Sequence, residues 1–208
     1  ALPISSPNLI DPQKIWQLET LPQNIAIIGG GVIGVEYASM FVELGINVSI
    51  YEKMDALIVT EEPEISQAML DSLKAKGVKV FLSAAVDIKD LDADLIVCAI
   101  GRTRDFNSLG FENANIQLTD SWLKQVSLGR PIMKYDNSLQ IAENIFLAGD
   151  IAPGPQLAHK ANFDAEKVFE ILEGKSVDIN YSKIIPSVIF TSPEISRAGF
   201  TRRYAEDV

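Results

Sequence analysis

The sequence predicts an α/β fold in which helices cover a parallel β-sheet. Three observations support this prediction. Short apolar runs alternate with helical patterns along residues 25–100, the first run leads directly into a glycine-rich turn, and the two helical patterns that follow each end at a glycine. Strands and helices that alternate in this way form parallel sheets, because each helix carries the chain back to the same edge.

The first half of the chain supplies most of the predicted sheet. Residues 1–22 read as a proline-punctuated connecting arm with a short helical pattern at 15–21. Strands are predicted over residues 25–28, 48–51, 78–82 and 95–100, and helices over residues 35–44 and 63–76. The second helix begins at Pro63, which suits a first helical position.

The second half is less regular. Residues 103–143 are polar, and any strands there should be short. A buried strand is predicted over 144–148 and a helix over roughly 157–173, ended by Gly174. Residues 184–191 predict a strand that starts another unit. The chain stops a few residues later and has no initiator methionine, so we expect it to be a fragment.

Composition excludes several classes of function. The formal net charge is −10, which disfavours binding to nucleic acid or to an anionic membrane. One cysteine and one histidine cannot form a disulfide framework, a zinc cluster or a redox dithiol within these residues, so no metal site is expected. No apolar run approaches the ~20 residues of a membrane span, and the N-terminus does not resemble a signal peptide.

The strongest motif is the run of residues from Gly29 to Gly34, which has the spacing G-x-G-x-x-G between a strand and a helix. In that context Gly29 permits the tight turn, Gly31 lets the backbone approach a pyrophosphate, and Gly34 packs the helix against the strand. The helix N-terminus then offers its free N–H groups to the phosphates. The predicted cofactor-binding residues of this loop are Gly29, Gly30, Gly31, Val32, Ile33 and Gly34.

An acidic residue follows the second strand where a dinucleotide site needs one. Glu52 lies 18 positions after Gly34 and can accept hydrogen bonds from both ribose hydroxyls of an adenosine. A carboxylate there repels a 2′-phosphate, so the motif favours NAD over NADP. Lys53 could soften that repulsion, although a lysine after a strand is more often simply solvated. The alternative is a glycine-rich turn without a ligand, which the position of Glu52 disfavours.

Glu36 has two interpretations. It is predicted in the first turn of the helix that follows the glycine loop, where a carboxylate compensates the helix dipole by a few tenths of a kcal/mol. Alternatively, it is a catalytic carboxylate that points toward the reacting end of the cofactor. The residues alone favour the electrostatic interpretation.

Four segments in order resemble the flavin-dependent disulfide oxidoreductases, most of all the dihydrolipoamide dehydrogenase group. They are IAIIGGGVIGVEYASMFVELGINVSIYEK, LIVCAIGRTRDFNSLGFE, NIFLAGDIAPGPQLAHKANFDAEKV and IIPSVIFTSPEISRAGFTRRYAED. The resemblance implies a Rossmann-like NAD-binding domain, the returning segment of an FAD domain and the start of an α+β dimerisation domain. The implied boundaries are 1–22 for the connecting arm, 23–103 for the NAD-binding domain, 104–178 for the FAD-domain segment and 179–208 for the dimerisation domain.

The resemblance also implies roles for residues outside the glycine loop. Asp150, preceded by Gly149, would bind the ribityl chain of FAD, although an aspartate in a turn could also act as a helix cap. The following helix would direct its N-terminus, at Gln156, Leu157 and Ala158, toward the flavin. Gly101 and Arg102 would line the path of NAD, and Glu36 would pair with a flavin-side lysine that these residues do not contain. His159 is expected to be structural.

The implied activity is hydride transfer between NAD(H) and FAD coupled to a disulfide or dithiol, in a cytoplasmic homodimer. The first FAD-binding glycine motif, the paired redox cysteines and the His–Glu pair of complete members are missing from these residues, and Cys98 is predicted to lie in a buried strand. Two alternatives remain open at this point. One is another FAD/NAD oxidoreductase on the same framework, such as a mercuric reductase, a transhydrogenase or an NADH oxidase. The other is a non-catalytic NAD-binding module.

Overall fold

A computed structural model describes residues 8–102, 104–114, 139–152, 154–177, 185–199 and 201–202. Most of the region predicted to be irregular, and the first residue of the strand predicted at 184–191, lie outside these ranges. The described chain divides into two compact units. The first contains residues 8–101 together with 188–196 and 201–202, and the second contains most of the described residues between 102 and 187.

The first unit is built on a five-stranded sheet whose neighbouring strands are all parallel. The strands are β1 (Leu9–Ile10), β2 (Asn24–Ile28), β3 (Asn47–Tyr51), β4 (Lys79–Phe81) and β5 (Leu95–Cys98), in the spatial order β1-β5-β2-β3-β4. In this register Ile25 of β2 lies opposite Val48 of β3 and Leu95 of β5. The predicted α/β fold with a parallel sheet is therefore confirmed.

Two helices cover one face of this sheet. Helix α1 (Val32–Glu43) connects β2 to β3, and α2 (Pro63–Ala75) leads into β4. Val35, Ala38 and Phe41 of α1 are fully buried or nearly so, because they recur at helical spacing and face the isoleucines of β2 and β3. This apolar layer fixes the helix against the sheet, and it therefore fixes the loop between β2 and α1.

The structure differs from the sequence-based prediction at several places in this unit, and β4 and β5 are both shorter than predicted. The connecting arm contributes β1, whose two residues pair with β5. The helical pattern at 15–21 is instead a 3₁₀ helix over Pro12–Gln17, because Pro12 starts the helix under the Asp11 cap and Leu18 is already extended. Helix α1 begins at Val32, three residues earlier than predicted, since the last glycine of the motif is accommodated inside the helix.

The second unit holds a two-stranded antiparallel sheet and one long helix. The strands are β6 (Gln140–Ala142) and β7 (Ile145–Phe146), and the helix is α3 (Ala158–Leu172). Its core is formed by Phe106, Phe111, Leu139, Leu147 and Ala152. The 3₁₀ helix Gly149–Ile151 follows β7 by two residues and contacts α3.

Near the end of the chain, β8 (Ser187–Ile189) and β9 (Ile195–Arg197) form a second two-stranded sheet. Ile189 is 1 % exposed and belongs to the core of the first unit, so this segment is anchored there. No helix in the described part of the chain combines the length and the apolar character needed to cross a membrane.

Candidate functional site

The order of the strands changes direction at the end of β2. The chain runs from β2 to β3 and β4 on one side, and then returns to the other side of β2 to form β5. The loop that leaves β2 is therefore the point where the direction of winding reverses. Ligands of open parallel sheets bind at such a point, outside the carboxyl ends of the strands. Residues 29–34 occupy this position.

The first glycine of the loop makes a turn that other residues would strain. Gly29 has φ +106°, and a Cβ added there would lie 2.5 Å from the carbonyl oxygen of Ala99. Its N–H donates to the carbonyl of Tyr51 at 2.9 Å. The turn is thus packed between the ends of β3 and β5, and glycine is the residue that fits.

The other two motif glycines meet opposite surroundings. A Cβ on Gly34 would lie 2.0 Å from the carbonyl oxygen of Gly29, so the helix can approach the loop only without a side chain. A Cβ on Gly31 would contact nothing within 4 Å. Gly31 is the N-cap of α1 and provides no side-chain cap, and Val32 and Ile33 are the first helical residues. The start of α1 therefore presents its backbone N–H groups to open space.

Glu52 is fixed beside this helix start. It follows the last residue of β3, and its Oε2 accepts the Gly30 N–H at 2.5 Å. Its Oε1 accepts the Met54 N–H at 2.6 Å. A carboxylate oxygen has two lone pairs, so each oxygen keeps one for a further donor. Lys53 next to it is exposed.

Glu36 occupies a different position from the one predicted. Because α1 begins at Val32, Glu36 lies in the second turn and not in the first, which carries no acidic residue. Its Oε1 accepts the N–H of Phe190 at 2.9 Å. One turn later, the hydroxyl oxygen of Ser39 accepts the N–H of Ser192 at 3.0 Å. These contacts join residues far apart in sequence, so sequence patterns could not reveal them.

In the second unit, Gly149 and Asp150 form a tight turn between β7 and α3. Gly149 is buried with φ +73°, and the neighbouring Asp150 is exposed. The backbone carbonyl of Asp150 accepts from Nε of Arg104 at 2.5 Å, and Nη2 of Arg104 also reaches the carbonyl of Gly154 at 3.2 Å. Burial lowers the pKa of Arg104, while the nearby Asp150 opposes that change.

A buried ion pair supports the same turn. Nζ of Lys160 lies 2.7 Å from Oδ2 of Asp164, one helical turn along α3, and neither side chain has any exposed surface. Burial lowers the pKa of Lys160, and the hydrogen bond that Lys160 donates to Asp164 opposes that shift. Both residues fall in the segment whose pattern predicts α3. Their i, i+4 spacing with opposite charge is the signal that sequence reasoning passed over.

The other candidate residues lie at the start of α3 and after β5. Leu157 is the N-cap of α3 without a side-chain cap, and it is flanked by the exposed Gln156 and Ala158. The ring Nε2 of His159 lies 2.6 Å from the carbonyl of Pro186, which agrees with a structural histidine. Gly101 and Arg102 are exposed, and along the chain Gly101 is assigned to the first unit and Arg102 to the second.

Cys98 is half-buried and free, which differs from its predicted burial because it ends β5 at the rim of the sheet. Among the described residues, no group of three or more histidine, cysteine or acidic side chains could hold a metal ion.

Comparison with known proteins identifies the family. Residues 4–165 match the model of the pyridine nucleotide-disulphide oxidoreductases. The chain belongs to this family. Its members are oxidoreductases, so this chain comes from a family of redox enzymes.

Individual members of the pyridine nucleotide-disulphide oxidoreductase family align along the whole chain. Dihydrolipoyl dehydrogenase from Geobacillus stearothermophilus is 28% identical over 230 residues, covering 99% of this chain and 47% of that protein. The Chlamydia pneumoniae dihydrolipoyl dehydrogenase is 31% identical over 220 residues, covering 99% and 45%. This chain thus spans about half the length of the curated relatives it matches.

Solved structures from two bacteria have the same fold. The HOCl-induced flavoprotein disulfide reductase RclA from Escherichia coli superposes with a TM-score of 0.82 at 29% identity, covering 98% of this chain and 48% of that one. LpdA from Mycobacterium tuberculosis superposes with a TM-score of 0.79 at 21% identity, covering 95% and 45%. The second likeness supports the fold alone.

Proposed function

We propose that this chain is the NAD(H)-binding part of a flavoprotein oxidoreductase similar to dihydrolipoyl dehydrogenase. Hydride would pass between NAD(H) and FAD, coupled to a disulfide or dithiol substrate. The observation that carries the proposal is the carboxylate of Glu52, which two backbone N–H groups hold beside the open N-terminus of α1. Family membership and the dihydrolipoyl dehydrogenase relatives support the flavin and disulfide parts of the proposal.

The glycine loop fits the pyrophosphate of a dinucleotide. The space beside Gly31 is open where a Cβ would stand, so a phosphate can reach the backbone. The first turn of α1 contains no acidic residue that would repel it. The N–H groups at Gly31, Val32 and Ile33 would then bind the phosphates, aided by the positive end of the helix dipole.

Glu52 would select the nucleotide. Its two oxygens are oriented by Gly30 and Met54, so their remaining lone pairs can accept from the two hydroxyls of one ribose. A 2′-phosphate would bring negative charge against the carboxylate and would also remove one hydroxyl donor. We therefore expect NADH to bind more tightly than NADPH. Lys53 is free to remain solvated in this arrangement.

The second unit carries the residues that would hold FAD. The Gly149–Asp150 turn presents an exposed carboxylate, and the uncapped start of α3 at Gln156, Leu157 and Ala158 presents N–H groups that suit the anionic reduced flavin. FAD would supply the redox chemistry when bound. We propose in addition that Gly101 and Arg102 line the path of NAD. Glu36 would be the catalytic carboxylate near the reacting end of the cofactor, and the N–H of Phe190 donates to it.

The domain boundaries implied by the family resemblance, a homodimeric state and a cytoplasmic location are part of the same proposal. The net charge of −10 supports the expectation that neither nucleic acid nor an anionic membrane is a partner.

Titration of NADH and NADPH into the 208-residue protein, followed by nucleotide fluorescence, tests the proposal. We expect NADH to bind at least tenfold more tightly, a difference of about 1.4 kcal/mol. Glu52→Ala should weaken NADH by tenfold or more and leave NADPH almost unchanged. Glu43→Ala, which removes an exposed carboxylate at the far end of α1, is the matched control. Equal affinities of the wild-type protein for the two nucleotides would contradict the role given to Glu52.

A further inference from the structure

The fully buried Lys160–Asp164 pair has no role in the site described so far. Both side chains have 0% exposure, so this ion pair is completely removed from solvent. Removing two charges from water costs several kcal/mol per ion, and an apolar pair of similar volume usually stabilises a protein equally well. Stability alone therefore gives a poor account of this pair. Its contacts must be considered instead.

The two charged side chains bind the two backbone polar groups of one residue, Gly149. Nζ of Lys160 donates to the carbonyl oxygen of Gly149 at 2.9 Å. Oδ2 of Asp164 accepts the N–H of Gly149 at 2.9 Å. The bonds lie on either side of the Gly149 Cα, so together they constrain both φ and ψ. The backbone also runs close to α3, since a Cβ on Gly149 would lie 3.4 Å from the Cβ of Ala161.

The constraint extends to the next residue. The peptide that precedes Asp150 includes the Gly149 carbonyl held by Lys160, and the carbonyl of Asp150 itself accepts from Nε of Arg104. Both peptide groups that flank the Asp150 Cα are therefore bonded to cations. Those two groups set the direction of the Cα–Cβ bond, so the side chain of the exposed Asp150 leaves the turn in a fixed direction.

We propose that Lys160 and Asp164 are positioning residues, whose buried pair fixes the Gly149 backbone and so orients Asp150 toward the sugar-like chain of a flavin dinucleotide. The choice of ligand rests on the function proposed above, whereas the orientation of the backbone does not. Pre-organisation of this kind lowers the entropic cost of binding, because the polar group that meets the ligand is already in place.

The test replaces the ion pair by apolar side chains in the 208-residue protein, as Lys160→Met with Asp164→Leu. The matched control is Lys167→Met with Glu170→Leu, which removes a partly exposed pair of the same helix at 2.8 Å. Three quantities are measured for each protein: hydrogen exchange of the Gly149 amide by NMR, the unfolding midpoint, and FAD binding by quenching of flavin fluorescence.

We expect the doubly substituted protein to unfold below the wild-type midpoint, because the buried N–H and carbonyl of Gly149 lose their partners, and its Gly149 amide to exchange at least tenfold faster relative to the core amides of α3. Its affinity for FAD should fall as far as that of the Asp150→Ala protein. The control with Lys167→Met and Glu170→Leu should change neither the exchange of the Gly149 amide nor the affinity for FAD. A merely structural pair would also lower the midpoint, but it would leave both the protection of Gly149 and the affinity for FAD unchanged in the protein that remains folded.

Two results would overturn the positioning role. One is unchanged protection of Gly149 and unchanged FAD binding in the doubly substituted protein. The other is available even if that protein does not fold: in the wild type, a Gly149 amide that exchanges far faster than the α3 core shows that the pair does not hold it. If Gly149 loses protection as expected but the affinity for FAD stays at the wild-type value, the flavin assignment fails and the backbone role stands.

Discussion

Replacing Gly34 by alanine tests why the glycine loop has its shape. The new Cβ would lie 2.0 Å from the backbone oxygen of Gly29, and that oxygen belongs to a turn already packed against Ala99. Neither the helix nor the turn can move without disturbing the core, so the cost lies at the upper end of the usual ~1–3 kcal/mol for overpacking. Alanine regains about 1 kcal/mol of helix propensity over glycine. The net destabilisation is then about 2 kcal/mol.

Thermal unfolding followed by circular dichroism measures this effect. For a protein of this size about 2 kcal/mol lowers the Tm by about 4–8 °C. Gly31→Ala is the matched comparison, because its Cβ meets nothing within 4 Å and its φ of −74° suits alanine. It should leave the Tm almost unchanged and still weaken NADH binding by tenfold or more, since the methyl group enters the space proposed for the pyrophosphate.

The pair of substitutions separates folding from binding at two positions of one motif. A Gly34→Ala protein with the wild-type Tm would refute the packing explanation for that glycine. A Gly31→Ala protein that binds NADH normally would show that the open space at the start of α1 is not where the phosphates bind.

Three further predictions concern contacts outside the loop. Asp94 accepts the N–H groups of two residues at the start of β2, at 3.0 and 2.8 Å, so Asp94→Ala should cost about 1–2 kcal/mol in chemical denaturation without changing NADH affinity. Glu36→Ala should speed hydrogen exchange of the Phe190 amide about tenfold, whereas Glu36→Gln keeps an acceptor and should not. The pKa of Glu64 is lowered by a hydrogen bond from its own backbone N–H and, to a smaller extent, by the charge of Arg202. Glu64 therefore stabilises the fold at neutral pH, and this contribution is lost as the pH falls below about 4.5. Glu64→Gln should flatten the dependence of stability on pH in that acidic window, and an unchanged slope would count against the contact.

The part of the structure that sequence predicts best is the segment from β2 through β3. Its signals are local: a short apolar run, glycines at fixed spacing, helical periodicity and an acid after the next strand. Each strand boundary there agrees with the structure within one residue. The fold class follows from the same alternation. Local signals suffice because the loop and its two neighbouring strands form a continuous piece of chain.

The features that sequence misses depend on residues distant along the chain. The two-residue strand β1 exists because β5 offers a partner, and no pattern of residues 8–11 signals it. The predicted start of α1 is three residues too late, because a glycine near a helix start is typical of a loop. In the structure Gly34 lies inside the helix, packed closely against the carbonyl of Gly29. The acceptor role of Glu36 requires residue 190, which is far away in sequence. Tertiary contacts decide all three.

The site proposed for NAD(H) would exchange hydride with a redox partner, but these 208 residues contain only one cysteine. Cys98 ends β5 and is free, so these residues contain no dithiol that could pass two electrons between a thiol substrate and the nucleotide. We therefore expect this protein to bind the nucleotide without catalysing thiol oxidation. Incubated with NAD, FAD and dihydrolipoamide, it should bind the nicotinamide nucleotide and form no NADH above background. Turnover at ~1–1,000 per second, as is typical of enzymes, would contradict this expectation and require a redox route that does not use paired cysteines.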